Sequence, residues 1–423
     1  MKHNPFLPLC LLSATLFLHP AAAQITPAEY RRAVAGHSWS LRAAASRSEQ
    51  AAQRQLRART AFLPSLSAAG DFSLALRHRT GIKPWGFALQ PQIVGTLYGG
   101  GSVRASWRKA SLDHSAALCD EAFTLLDVRY AADYAYWNLS ATTQYRDAMR
   151  RFVGIIRSLK ELIDRRFEEG YISKSDVLMI EARLSAAEYE ELAAEKSCEE
   201  ALHNFNVLRG TGADDPVALA VSILDSLAMP RRATLEETLA ARPDYTAARL
   251  RREAAASSVR LVRSAFNPRI EVGVSGIWQP ETPNRRGVTS LDGALFARVS
   301  VPIFHFRERR HAVAEARAAE LKSAWGEAQL HDDILLQERN GWTALTESRA
   351  QVEAIKESLR IASENLDLST YSYGEGLTTI LDVLQAQLSW IQLYTNAITA
   401  RFNYAVARSS YDRITARETD EEQ

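Results

Sequence analysis

The chain has 423 residues, enough for two or three ordinary domains or for one large repeated architecture. An apolar content of 46% supports a core, while a net charge of +1 excludes the strongly basic surface of a nucleic-acid binder and gives no sign of an acidic partner. Beyond the N-terminal segment no apolar run reaches the roughly 18–20 residues of a membrane-spanning helix, which excludes a multi-helix membrane protein but not a membrane β-barrel.

The first residues, MKHNPFLPLCLLSATLFLHPAAAQ, combine a basic start, an apolar centre at Phe6–Leu18 and a small-residue site ending at Ala23. They predict a secretory signal peptide over 1–23, cut before Gln24. Cys10 lies inside the apolar stretch, without the small residues that precede a lipid-modified cysteine. Export leaves Cys119 and Cys198, too few for a disulfide framework.

The rest of the chain reads as two copies of one plan. RFEEGYISKSDVLMIEA at 166–182 and YSYGEGLTTILDVLQAQ at 371–387 share Gly-x(5)-Asp-Val-Leu, superposing Gly170 on Gly376 and Asp176 on Asp382 at an offset of 206. Leu97-Tyr98 falls on Ile303-Phe304 at the same offset, and AFLPSL (61–66) matches AFNPRI (265–270) at 204. Landmarks this far apart in the same order point to tandem duplication, which governs the fold. The predicted order is a first helix at 24–62, a transmembrane strand pair at 63–106 and a long helical hairpin at 107–208. A linker or collar segment follows at 209–233. The second repeat has a first helix at 234–266, a strand pair at 267–303 and a helical hairpin at 304–417, with a charged tail at 418–423.

In both strand regions the period is two. Leu66, Ala68, Gly70, Phe72, Leu74 and Leu76 oppose Ser65, Ser67, Asp71, Ser73 and Arg77. Ile93, Gly95, Leu97, Val103, Ala105 and Trp107 continue the apolar row against Gln92, Thr96, Ser102, Arg104 and Ser106. In the second repeat Ile270, Val272, Val274, Gly276 and Trp278 oppose Glu271, Ser275 and Gln279. Leu291, Gly293, Leu295, Ala297, Val299 and Val301 oppose Asp292, Arg298 and Ser300. Rows of about ten residues suit a tilted membrane strand. The intervening stretches RHRTGIKPWGFALQ and QPETPNRRGVTS read as loops. Arg77, Arg104, Asp71, Glu271 and Arg298 would line a barrel lumen or sit on solvated loop edges. Four strands cannot close a cylinder, so in a bilayer the closure must come from further copies, two, three or four in all.

Helical periodicity covers the remainder. Val177, Ile180, Leu184, Ala187, Ala194, Cys198, Ala201, Phe205 and Leu208 follow a 3-4 spacing, as do Met149, Phe152, Ile156, Leu159 and Ile163, and Ile380, Leu384, Ile391, Tyr394 and Ile398. Cys198 fits a packed position of that seam, whereas Cys119 has no assigned role. Residues 107–169 and 305–372, if continuous, each reach about 95–100 Å. Gly170 and Gly376 mark where these helices turn back. Ser173 and Ser175, and Thr378 and Thr379, offer side-chain oxygens to start the return helices.

No enzymatic chemistry is legible. Gly99-Gly100-Gly101 lacks the Gly-Lys-Ser/Thr of a phosphate loop, and His305 and His311 are six apart, outside the i,i+4 spacing of a zinc pair. No cofactor and no metal site is predicted.

The leader, the duplication, the strand pairs, the long hairpins, RPDYTAAR at 242–249 and YGEGLTTILDVLQAQ together resemble the TolC-type outer-membrane efflux family over essentially the whole mature chain. The resemblance implies a mainly α fold with transmembrane β. In it, duplicated helical hairpins form an α-barrel tunnel and four strands per chain build a 12-stranded barrel in a homotrimer. It places the protein in the outer membrane of a Gram-negative bacterium, among outer-membrane lipid. Its partners would be a periplasmic adaptor and an inner-membrane pump of RND, ABC or MFS type, with no nucleic acid. The family closes its tunnel at the tips through polar contacts, which by position involve Asp176 and Tyr373. Its inward carboxylates start the last long helix, where Asp382 matches the first while the second is Gln385 here, and Thr378 replaces an arginine often found after the turn. Asp382 is therefore a pore-facing candidate, or else a favourable charge in a first helical turn. Gly170, Tyr171, Ile172 and Ser173, with Gly376, Leu377, Thr378 and Thr379, are the candidate adaptor contacts. The function implied is a passive efflux duct for drugs, metals or solvents. The alternatives are a duct for secreted polypeptides and, in another class, a non-pore coiled-coil scaffold of the periplasm.

Overall fold

The computed structural model describes residues 24–74, 76, 85–281 and 290–417. The predicted leader, residues 77–84 of the first loop with Arg77 among them, 282–289 of the second and the charged tail lie outside the described residues, and the rest of both predicted loops belongs to strands.

The duplication is visible in the order of elements. Repeat 1 runs α1 (Pro27–His37), α2 (Trp39–Thr60), β1 (Ser65–Leu74), β2 (Trp85–Tyr98), α3 (Ser102–Glu168) and α4 (Lys174–Arg209). Repeat 2 runs α5 (Leu235–Ala241), α6 (Pro243–Ser264), β3 (Arg269–Glu281), β4 (Ser290–Ser300), α7 (Glu308–Gly374) and α8 (Ile380–Thr415). Each predicted first helix is thus two. Ser38 leaves helical geometry at ψ 117 and its hydroxyl caps Leu41, separating α1 from α2. In repeat 2 the break falls at Arg242, because Pro243 disfavours helical geometry in the residue before it. Arg242 is buried there and neutralised by Asp244, Nη2 to Oδ2 at 2.6 Å.

The strands form one antiparallel sheet in the order β1-β2-β3-β4. The register sets apolar positions side by side across all four: Leu66 opposite Ile93, Ile93 opposite Val274, and Val274 opposite Leu295. The other face carries Ser67, Gln92 and Ser275, and the cross-strand charges Glu271 and Arg298 at 4.0 Å. β1 is exposed on both faces along its whole length, so neither face of this edge strand packs on a core within the single chain. The strand predicted to run on through Val103, Ala105 and Trp107 stops at Tyr98. The alternation there is a coincidence of the first helical turns of α3, which buries Ala105, and Arg104 is a helical residue rather than a strand residue. Among the described residues no helix is long and apolar enough to cross a membrane.

α3 and α7 each have 67 residues, which at 1.5 Å per residue makes rods of about 100 Å. They cannot hold themselves straight by propensity, so their stability comes from apolar seams. Toward the turns Phe152, Ile156, Ile163, Val177, Ile180, Val383 and Ile391 share one core. Mid-length, a second core is built on Tyr30 and Phe205, stacked at 3.8 Å, with Tyr136 and Ile223. The segment between the repeats is strapped onto this waist. Ile25 pairs with Leu219, the Ile223 amide donates to the Ser140 hydroxyl at 2.8 Å, and the Ala233 amide donates to the Tyr411 hydroxyl at 2.9 Å.

Candidate functional site at the helical tips

Both long helices end in the same turn, for the same local reason. At the end of α3 the Gly170 amide donates to the Phe167 carbonyl at 3.0 Å and the Tyr171 amide to the Arg166 carbonyl at 2.9 Å. At the end of α7 the Gly376 and Leu377 amides donate to Tyr373 and Ser372 at 3.0 and 2.8 Å. The chain reverses through a left-handed glycine at φ +82 for Gly170 and +76 for Gly376. A Cβ on either glycine would meet nothing within 4 Å, so conformation and not space requires glycine.

The return helices start on matched capping boxes. In α4 Asp176 Oδ2 accepts from the Ser173 amide at 3.1 Å and from its hydroxyl at 3.0 Å, while Ser173 Oγ accepts from the Asp176 amide. In α8 Asp382 Oδ2 accepts from the Thr379 amide at 2.9 Å and its hydroxyl at 2.7 Å. The Thr379 hydroxyl, then its amide, hold the Asp382 carboxyl below the usual carboxylate range. Ser173 and Thr379 are therefore the caps. The Thr378 hydroxyl is a buried oxygen with no hydrogen-bond partner among the described residues, so it is not a cap.

Asp382 and Gln385 are both exposed and one turn apart on α8, so they lie on one face. Tyr373 instead points inward, 4% exposed, in the same core as Val177 and Ile380. Burial pushes its phenol up, with the Arg166 charge pulling the other way and the Asp176 charge adding to the rise. Its hydroxyl is buried, with no hydrogen-bond partner among the described residues.

A polar contact between the two hairpin tips comes from Arg166, in the last turn of α3. Its guanidinium donates from Nη1 to the Tyr373 carbonyl at 2.9 Å and from Nη2 to the Gly374 carbonyl at 2.5 Å, and it lies 5.0 Å from the centre of the Tyr373 ring. A cation set on the C-terminal carbonyls of α7 also meets the negative end of that helix. Sequence reasoning missed this residue. It also missed Arg183, which stacks on Phe152 at 5.3 Å in a groove of about 750 Å³ between α3, α4 and α8, its Nε buried and without a hydrogen-bond partner among the described residues. Buried Gln387 of α8 was missed too, and among the described residues neither amide atom of its side chain has a partner.

The two turns present matching apolar residues to solvent. Tyr171 is 78% exposed and Leu377, its equivalent in repeat 2, is 76% exposed, with Leu178 and Leu381 exposed beside them. Gly170, Ser173, Gly376 and Thr379 are exposed around these side chains, and Ile172 is half-buried against the core. Among the described residues no cluster of acidic, histidine and cysteine side chains could hold a metal ion.

Comparison with known proteins agrees with this architecture. The family described as outer membrane efflux protein matches residues 32–211 and 234–416, that is, both repeats. The outer membrane protein TolC of Escherichia coli is 21% identical over 389 residues, 86% of this chain and 77% of TolC. The alkaline protease secretion protein AprF of Pseudomonas aeruginosa is 24% identical over 255 residues, 58% of this chain and 52% of AprF. Among solved structures, the outer membrane protein VceC of Vibrio cholerae superposes with a TM-score of 0.79 at 19% identity, over 92% of this chain and 96% of VceC.

Proposed function

The chain belongs to the outer membrane efflux protein family, and from that premise we propose that it works as a homotrimer, the passive outer-membrane duct of a tripartite export machine. Three copies of the four-stranded sheet make a 12-stranded barrel, and the helical rods continue it as a tunnel toward the inner membrane. A periplasmic adaptor meets the tips, an inner-membrane pump of RND, ABC or MFS type supplies the energy, and the cargo is a small molecule such as a drug, metal or solvent. The observation that carries this reading is the join of a sheet with two open edges to rods of about 100 Å. A sheet with an apolar face and unpaired edges is stable in lipid only when closed by further copies.

The tip residues divide into three roles in this reading. The exposed apolar pair Tyr171 and Leu377 receives the adaptor, with the turns Gly170–Ser173 and Gly376–Thr379 around them. Asp382 and Gln385 face the pore, and copies of Asp382 around the axis draw cations into the mouth. Arg166 latches the α3/α4 hairpin to the α7/α8 hairpin, so the mouth widens when its grip on the Tyr373 and Gly374 carbonyls is released. Asp176 holds the cap of α4 close to this latch.

The test is reconstitution of the mature chain in planar bilayers, where discrete ohmic steps with cation preference are expected. A protein recovered from the soluble periplasm without conductance would instead be the coiled-coil scaffold. The similarity to AprF, whose name records protease secretion, favours a second reading as a polypeptide duct. Deleting the gene separates the two: retained dyes and drugs mark a small-molecule duct, whereas a missing secreted protein with unchanged drug tolerance marks the other.

A further inference from the structure

The internal duplication also specifies how two copies meet. The hairpin register Leu66↔Ile93 in repeat 1 recurs as Ile270↔Val299 in repeat 2, and Ser65↔Val94 recurs as Arg269↔Ser300. The first strand is therefore advanced by 204 positions (66 to 270) and the second by 206 (93 to 299). Between the repeats β2 pairs with β3 as Gln92↔Ser275, Ile93↔Val274, Val94↔Gly273 and Gly95↔Val272. The same junction one repeat further on joins β4 to β1 of a second copy. Carrying the register forward sets Ser300 opposite the partner's Ala69, Val299 opposite the partner's Gly70, Arg298 opposite the partner's Asp71, and Val301 opposite the partner's Ala68.

We propose that copies join through this β4–β1 register, and that Arg298 and the partner's Asp71 form an ion pair on the polar face of the barrel at every seam. The proposal rests on the oligomeric duct reading above. Three observations support it beyond the repeat itself. Val299 and Val301 land beside small apolar residues of the apolar face, whereas a slip of one position would turn Arg298 toward that face. The charges that meet are opposite, a pairing the arithmetic of the offsets did not require. Both groups are held loosely within one copy: Arg298 is 69% exposed, lies 5.4 Å from the centre of the Phe296 ring and reaches Glu271 at 4.0 Å, and Asp71 accepts from Gln90 at 3.5 Å.

The foot of the same seam is also unfinished in one copy. Gly100 (φ +66) packs against Asn267 and the Ser264 carbonyl of the neighbouring repeat, and its equivalent, Phe306, holds the same hand of backbone at φ +39. Phe306 is 85% exposed, and the equivalent surface at the opposite edge presents Phe62 and Leu63, also exposed. The seam brings Phe306 to the partner's Leu63. A Cβ on Gly100 would lie 2.7 Å from the Ser264 carbonyl oxygen, so the seam must open there by the width of a side chain while the strands hold their register.

Disulfide trapping in outer membranes tests the register, in the full chain with Cys119 and Cys198 changed to serine. Directly opposed residues lie about 4.5–5.5 Å apart, within disulfide reach, and positions offset by two about 7–8 Å, outside it. Ala69→Cys with Ser300→Cys is expected to give reducible covalent multimers in at least about tenfold the yield of Ser67→Cys or Asp71→Cys with Ser300→Cys. A better yield from either offset pair overturns the register. No trapping from any pair in an oligomeric protein also overturns it and leaves the duct reading standing, while a protein that is monomeric in light scattering removes both. For the ion pair, Arg298→Asp and Asp71→Arg singly are expected to lower the yield of oligomer in mild-detergent light scattering and together to restore it; no restoration overturns the pairing.

Discussion

Replacing Arg166 by alanine removes a side chain of α3 that donates to the Tyr373 and Gly374 carbonyls. Hydrogen bonds to a charged donor are worth about 1.5–3 kcal/mol each, and a partly exposed guanidinium over a tyrosine adds about 0.5–1 kcal/mol. The freed carbonyls end a helix and turn to water, so each bond falls to the roughly 1 kcal/mol of an ordinary net hydrogen bond, about 2–3 kcal/mol for the whole contact. If the contact exists only when the tips are together, its loss shifts their equilibrium toward the open mouth by about 30- to 150-fold per copy. Single-channel recording in planar bilayers reads this as a larger mean conductance and longer open dwell. Arg166→Lys keeps a charge at the helix end but not the planar fork, and falls between the two. An Arg166→Ala protein with wild-type helicity, wild-type oligomer and unchanged conductance refutes the latch.

Asp382→Asn lowers cation selectivity, read as a reversal potential in a salt gradient; an unchanged potential removes Asp382 from the pore. Because the Thr379 hydroxyl and amide depress the Asp382 carboxyl, its charge persists as the pH falls through the ordinary carboxylate range. The cap's stabilisation is complete above the unfolded-state value and is lost only through the lower folded value. Thr379→Val therefore makes selectivity fail at a higher pH, seen by titrating the reversal potential. Gly376→Val forces a β-branched residue to φ +76 in otherwise open space, at a cost of about 1–2 kcal/mol confined to the tip. It leaves the oligomer intact on native gels while export drops, and wild-type export contradicts the role of the turn. Tyr373→Phe removes a buried hydroxyl that has no hydrogen-bond partner among the described residues, so thermal stability holds or rises by up to about 1 kcal/mol, and a clear fall in melting temperature would reveal a partner for it in the assembly.

What could be read from the chain alone was what local chemistry decides. Gly170 and Gly376 announced turns because only a left-handed residue ends a helix this way, and Ser173–Asp176 and Thr379–Asp382 carry their caps within four residues. The strand rows were legible because a sheet between lipid and water keeps a strict period of two. The same rule misled at Val103, Ala105 and Trp107, where a few alternating residues fit a strand as well as the start of a helix. Choosing Thr378 beside Thr379 failed because one residue decides which hydroxyl faces the N-cap. Arg166 was out of reach, since its partners lie 207 and 208 positions away and are backbone carbonyls, which leave no mark in a sequence. Gln387 did leave one: it falls in the gap of the row Ile380, Leu384, Ile391, Tyr394, Ile398, and a polar residue at a seam position marks a buried amide.

The bare flanks of β1 and β4 also constrain biogenesis. A lone polypeptide crossing the periplasm carries two rows of unsatisfied amides and carbonyls that hydrocarbon will not solvate. In the oligomeric duct proposed above it cannot enter the bilayer first and look for companions afterwards, so association and insertion have to proceed together. The rate of appearance in the membrane then rises more steeply than linearly with the amount synthesised, and a shortage of newly made chains stalls delivery before any transport is attempted.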